Sequence, residues 1–229
     1  MIVLVVMTSL SGHTSLSSAL LPSTLPPSSH IANNDAAKVL STLSASLSIV
    51  GTIVIIATYF IWKEIQTNSR LILVCISIAD FFTAAGSLIT RFDTRGLTNV
   101  KDTTCVIQSY ITTTSCLCSF FWTTYLGLYL FLTVARKQLR VTDNLMLVFH
   151  ITAWGIPLGI VTTALIEHKL GDDLDYVTSG WCWINNTIRD KTFWMLITGK
   201  AWEIASYFLI TILYITVKCH IRSEVSDFN

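Results

Sequence analysis

Apolar residues gather in five long runs, roughly Val39 to Trp62, Leu71 to Thr90, Val106 to Val134, Leu145 to Ile166 and Phe193 to Val217. Short polar segments separate them. A helix needs about 20 mainly apolar residues to cross the hydrocarbon core of a bilayer. Lipid offers the backbone amides no partner, so each run is expected as an α-helix. The fold class that follows is an all-α membrane protein, with a five-helix transmembrane bundle over residues 36–218 and the lipid bilayer as its solvent. Residues 219–229 read as a short cytoplasmic tail.

The first 35 residues have a different pattern. They are rich in Ser, Thr and Pro, and Pro22, Pro26 and Pro27 argue against regular structure. Residues 1–35 are therefore expected as a disordered extracellular tail. Ile2 to Met7 is apolar but short, without a basic flank or a clear cleavage site, so the first span is expected to act as its own insertion signal. A signal peptide is the alternative. The tail carries no cysteine, so no disulfide-stapled ligand-binding domain is expected in it.

Composition sharpens this picture. Charged residues make up 13% of the chain, against about 25% in soluble domains, and the mean hydropathy is +0.61. A net charge of +1, with no basic run, points away from nucleic acid as a partner. Lys and Arg near the span ends divide seven against seven between the two sides, so the positive-inside rule does not decide orientation by count. The segments holding Lys63, Arg70, Arg136, Lys137, Arg140, Lys218 and Arg222 are much the shorter, which favours that side as cytoplasmic.

Of the six cysteines, Cys75, Cys116 and Cys118 fall inside spans, where a thiol serves as a small packing group. Cys105 and Cys182 lie at or beyond span ends on one common side. If that side is extracellular, its redox state permits a disulfide. Asn185-Asn186-Thr187 is an N-glycosylation sequon in the loop of Cys182. Together these features favour an extracellular N-terminus and a multi-pass protein of the plasma membrane.

Ionisable side chains inside a membrane are costly, and function or a buried pair is the default reading. Asp80 stands near the middle of the second run, as a buried polar anchor or a switch. Lys200 and Glu203 are three residues apart and share one helical face; they form either a mutual ion pair or the wall of an inward cavity. The third run carries Gln108, Ser109, Thr112, Thr113, Thr114, Ser115, Ser119, Thr123 and Thr124, which suits a helix at the centre of a bundle. Trp62, Trp181, Trp183 and Trp194 are expected as interfacial anchors. His150 is expected to be structural. There is no GxSxG, HExxH or phosphate-binding glycine loop, and no histidine cluster with metal spacing. Neither an enzyme nor a cofactor or metal is expected. One competing reading makes Asp80, Lys200 and Glu203 a coupling-ion path in a small transporter. The absence of internal repeats and of paired broken helices weighs against it.

Phe121-Trp122 with Leu126-Gly127-Leu128-Tyr129-Leu130 resembles the third-helix motif of secretin-like receptors. Trp154-Gly155-Ile156-Pro157 resembles their fourth-helix Trp-Gly-x-Pro, and Cys182-Trp183 their second-outer-loop Cys-Trp. The Trp181-Cys182-Trp183-Ile184 run and the stretch from Trp194 to Glu203 extend the likeness to an orphan branch. That branch is related both to secretin-like and to slime-mould cyclic-AMP-type receptors. The resemblance covers about residues 36–222. It implies a G-protein-coupled-receptor-like bundle with five of seven helices present, and a Cys105–Cys182 bridge fixing the loop over a ligand pocket. It also implies an extracellular ligand of unknown identity and a heterotrimeric G protein partner, of the Gq phosphoinositide and calcium type. Arg136, Lys137 and Arg140 would lie at the G-protein face, or hold the helices against anionic lipid.

Three departures stand out. Leu126 occupies the place of an acidic residue before Gly-Leu-Tyr. Ala135-Arg136-Lys137 stands where rhodopsin-like receptors have Asp-Arg-Tyr. Helices six and seven are not in these 229 residues, which suggests a splice variant, an incomplete gene model or a fragment. Such a chain is expected not to signal alone, and either to be retained or to dimerise with a full-length receptor copy; a non-signalling truncated regulator is an alternative reading.

Overall fold

Where the sequence places apolar runs, the chain forms helices. The structure is a computed structural model that describes residues 27–92, 98–135, 139–172, 182–185 and 187–227. Helix α1 spans Pro27–Ile61 and is followed by a 3-10 turn at Lys63–Ile65. Helix α2 spans Asn68–Phe92; α3 spans Thr98–Leu130 and runs into a π-helical turn at Phe131–Ala135. Helix α4 covers Leu139–Ile166. A pair of short antiparallel strands follows, β1 at Leu170–Asp172 and β2 at Cys182–Ile184. The last span is continuous: α5 at Lys191–Met195, a π-helical turn at Leu196–Lys200, and α6 at Ala201–Asp227. Among the described residues, the stretches long and apolar enough to cross a membrane are Val39–Ile61, Asn68–Ile89, Thr103–Ala135, Asn144–Ile166 and Lys191–Ser223.

The helices overrun the apolar runs that nucleate them. Helix α1 starts at Pro27, inside the stretch expected to be irregular. A proline in the first turn loses nothing, because its missing N–H has no helical partner there, and its fixed φ suits the helix. Helix α4 begins at Leu139, so Arg140 lies on a helix and not in a loop. Arg136 and Lys137 lie outside the described residues. Helix α6 continues to Asp227, through most of the segment expected as a tail. Polarity ends a membrane span but does not end a helix.

Helix α3 is the hub. It packs against α2, α4, α6 and both strands, while α1 packs on α2. One core cluster lies where α2, α3 and α4 meet, around Ile72, Cys75, Ala79, Cys118, Trp122, Phe149 and Ala153. The second lies towards the strands, around Leu117, Phe120, Val161, Ala164, Leu170 and Ile184. Cys75 and Cys118 are buried in the first as small packing groups. Trp122 is fully buried and meets His150 edge-on at 4.7 Å between ring centroids, which gives that histidine its structural place. Several hydroxyls within the bundle turn back on their own helices, as in Thr83 to Ala79 O at 3.0 Å and Ser87 to Thr83 O at 2.8 Å. This satisfies them without a partner helix.

Helices α2 and α3 approach closely at Gly86. A β-carbon there would lie 2.6 Å from Thr112 Oγ1. Gly86→Ala is therefore expected to destabilise the bundle by about 1–3 kcal/mol through overpacking. Adding Thr112→Ala should recover most of that loss. Thermal melting in detergent checks both; equal midpoints for wild type and Gly86→Ala would disprove the close approach.

Candidate functional site under the strand pair

The chain leaves α4 through a tight cap. Lys169 N–H donates to Ala164 O at 2.9 Å and His168 N–H to Leu165 O at 3.0 Å. His168 takes the left-handed conformation, φ 52°, that this cap requires. The cap turns the chain back as β1, and β2 pairs with it in the register Leu170–Ile184, Gly171–Trp183 and Asp172–Cys182.

Strand β2 is tied to α3 at two points. Cys105 and Cys182 form a disulfide with 5.3 Å between their α-carbons. Four residues further along α3, the Ser109 hydroxyl donates to Trp183 O at 2.5 Å. On its other side β2 meets the last span. A β-carbon at Gly199 would stand 2.8 Å from the Trp183 ring, so the glycine makes room for the indole. Trp183 and Trp194 thus pack against the core cluster of Leu117, Val161 and Ile184, where sequence reasoning expected interfacial anchors. Trp183 is half-buried there. Trp62, at 56% exposure, keeps an anchor's setting; Trp181 lies outside the described residues.

Beneath this strand pair the last span widens into its π-helical turn, a local feature often found at functional sites. The turn frees Ile197 O to accept from Trp202 Nε1 at 2.8 Å. It also sets Lys200 Nζ 3.0 Å from Glu203 Oε2. The pair is lopsided: the Glu203 side chain is 12% exposed and that of Lys200 37%. Trp202 packs on Phe121 of α3 at 5.0 Å. Deeper in the bundle, Ser119 Oγ donates to Asp80 Oδ1 at 2.8 Å, linking α3 to α2. Of the three intramembrane charges picked out from the sequence, Lys200 and Glu203 thus pair with each other on the last span, while Asp80 is joined through Ser119 to α3. Among the described residues no group of His, Cys, Asp and Glu could hold a metal ion.

The remaining sequence candidates have structural positions. Gly127 lets α3 approach α6, where a β-carbon would meet Leu213 at 3.4 Å. Leu128, Tyr129 and Trp154 pack on the first core cluster, and Pro157 is fully buried in α4. Gly155 has open space beside it. Leu126 also packs on the first cluster, so no polar lock forms through that residue. The α3–α4 contact there is made by Tyr125, stacked on Phe149 at 4.5 Å with its hydroxyl 2.7 Å from Thr152 Oγ1. At Asn185, Oδ1 accepts from Thr187 N–H at 3.0 Å and from its hydroxyl at 2.8 Å. Sequence reasoning missed the particular partners Ser109, Ser119, Gly86 and Gly199. The hydroxyl-rich third run announced polar contacts but not which helix each would meet.

A helical membrane bundle with a disulfide-anchored strand pair over a polar interior has the architecture of a seven-helix receptor. Residues 34–227 match the family model described as 7 transmembrane receptor (Secretin family), and the chain belongs to that family. It is similar to G-protein coupled receptor 157 of Mus musculus, at 37% identity over 181 residues, which cover 79% of this chain and 54% of the relative. The Homo sapiens protein of that name is 36% identical over 200 residues, covering 86% and 58% respectively. A more distant relative is cyclic AMP receptor-like protein A of Dictyostelium discoideum, 27% identical over 143 residues, covering 62% and 35%. The chain spans little more than half the length of the first two relatives.

Proposed function

We propose that this bundle is the signal-reading part of a plasma-membrane receptor that relays an extracellular ligand to a heterotrimeric G protein of the Gq type. The observation that carries the reading is the Cys105–Cys182 bridge, which fixes the strand pair against the last span where Trp183 meets Gly199 and Lys200 pairs with Glu203. A fixed roof over buried charges is what a binding pocket needs, since polar groups in low dielectric discriminate strongly between ligands. Lys200 and Glu203 form the wall on the last span. The end of the bundle opposite the strand pair, with Arg136, Lys137 and Arg140, meets the G protein. A ligand acts by favouring one of two helix packings.

This reading places the strand pair and the N-terminus outside the cell. A glycan on Asn185 is then expected. Glycosidase treatment should increase gel mobility for the wild type and leave Asn185→Gln unmoved. A Gq-selective, guanine-nucleotide-sensitive energy-transfer signal between the chain and co-expressed Gα subunits supports the coupling. The same signal from every Gα class, or from none, would remove it.

A further inference from the structure

At the end of the bundle away from the strand pair, α1 and α2 leave a shallow crevice of about 70 Å3, lined by Ile55, Thr58, Tyr59, Arg70, Leu73 and Val74. Its Ile55, Leu73 and Val74 wall is apolar and open sideways, with Ile55 46% and Leu73 37% exposed. Its rim is cationic. Arg70 is exposed, in the first turn of α2 where the apolar run begins. Among the described residues no acidic side chain pairs with it. Lys63 and Glu64 in the preceding turn are also exposed and cancel in charge, which leaves Arg70 as the net positive charge beside the crevice. The turn is held in place by Gln66 Nε2 donating to Tyr59 O at 3.2 Å. Tyr59 lines the same crevice as Arg70 and its hydroxyl can serve as a second donor.

Size and setting select the occupant. Sites for soluble small molecules run to roughly 300–1,000 Å3, several times this volume. A short run of methylenes fits, provided the rest of the molecule lies along the helices in the bilayer. A guanidinium at the depth where hydrocarbon gives way to headgroups matches a phosphate or carboxylate in charge and geometry. Basic pockets between membrane helices on the cytoplasmic side have this character. We infer that the α1–α2 crevice is a binding site for an anionic phospholipid, with one acyl chain along Ile55, Leu73 and Val74 and its headgroup on Arg70 and Tyr59. That its source is the cytoplasmic leaflet rests on the orientation proposed above; the crevice itself does not.

The test is native mass spectrometry of the full chain released from micelles holding equal phosphatidylserine and phosphatidylcholine with matched acyl chains. This measurement is blind to orientation, so its failure is distinct from a failure of the receptor topology, which the Asn185 glycan reads. Wild type should carry mainly phosphatidylserine. Arg70→Gln should cut that preference about fivefold, the worth of one basic residue near an anionic surface. Arg222→Gln, which removes an exposed charge on α6 away from the crevice, should leave it unchanged. Ile55→Trp, at an exposed wall position, should displace the acyl chain and lower the adduct whatever its headgroup. Equal losses for Arg70→Gln and Arg222→Gln would mean diffuse attraction to a positive end and would overturn the site. Full phosphatidylserine occupancy in Ile55→Trp would overturn it as well.

Discussion

Lys200→Met is expected to destabilise the bundle by about 2–3 kcal/mol, seen as a drop of several degrees in the detergent melting midpoint. The substitution keeps the stem's bulk and removes the ammonium 3.0 Å from Glu203. The carboxylate left behind is 12% exposed. It must stay charged in low dielectric or take up a proton, and either costs free energy. Breaking a fully buried pair costs about 3–5 kcal/mol. The lower figure here follows from the 37% exposure of Lys200, which leaves its charge partly screened. That asymmetry gives the prediction its second half. Glu203→Gln strands only the better-solvated partner and is expected to cost about 1 kcal/mol. The double substitution Lys200→Met with Glu203→Gln removes both charges and should return close to wild type, since replacing a buried pair whole is often neutral. If the two single losses simply add in the double variant, the pair is not coupled.

The second large effect is expected at the disulfide. Replacing Cys105 and Cys182 together by serine should cost about 2 kcal/mol. The bridge closes a loop with a sequence separation of 77, for which free-chain entropy would give roughly 4–5 kcal/mol. Most of that loop is α3 and α4, and helices held in a bilayer are already restrained before tertiary packing, so less entropy remains to be removed. Reductant should reproduce the shift in wild type and add nothing in the double variant. The change should also be local. Without the bridge, the Ser109 bond and the apolar packing of Ile184 remain to hold β2 against α3, and Trp183 should loosen against Gly199. Its fluorescence emission should then move towards longer wavelengths. A melting midpoint indifferent to reductant would show that the bridge carries no stability.

The expectations drawn from sequence differ in fate according to the physics behind them. Span positions came through because lipid imposes a one-dimensional rule on length and composition. The helix ends did not, as Pro27, Leu139 and Asp227 show. Beyond the hydrocarbon, hydrogen bonding and capping take over from hydropathy. Lys200 and Glu203 were legible as a pair because a helix brings residues three apart together. The partner of Asp80 was not, since Ser119 stands 39 positions away and the third run offers many hydroxyls. The packing of Trp183 beside Gly199 was not legible either, since the two stand 16 positions apart and Gly199 gives no sign in the sequence of what it makes room for. The resemblance supplied the Cys105–Cys182 pairing that residue patterns alone left open.

By itself the sequence determined how many times the chain meets the membrane and which residues are too polar to face lipid. It could do so because solvent preference is a property of each residue in its local run. The tertiary structure alone decided which residues meet: Asp80 with Ser119, Ser109 with Trp183 O, and Trp183 with Gly199. Helix rotation and tilt set those contacts, and both are fixed by many packed side chains acting together across distant parts of the chain.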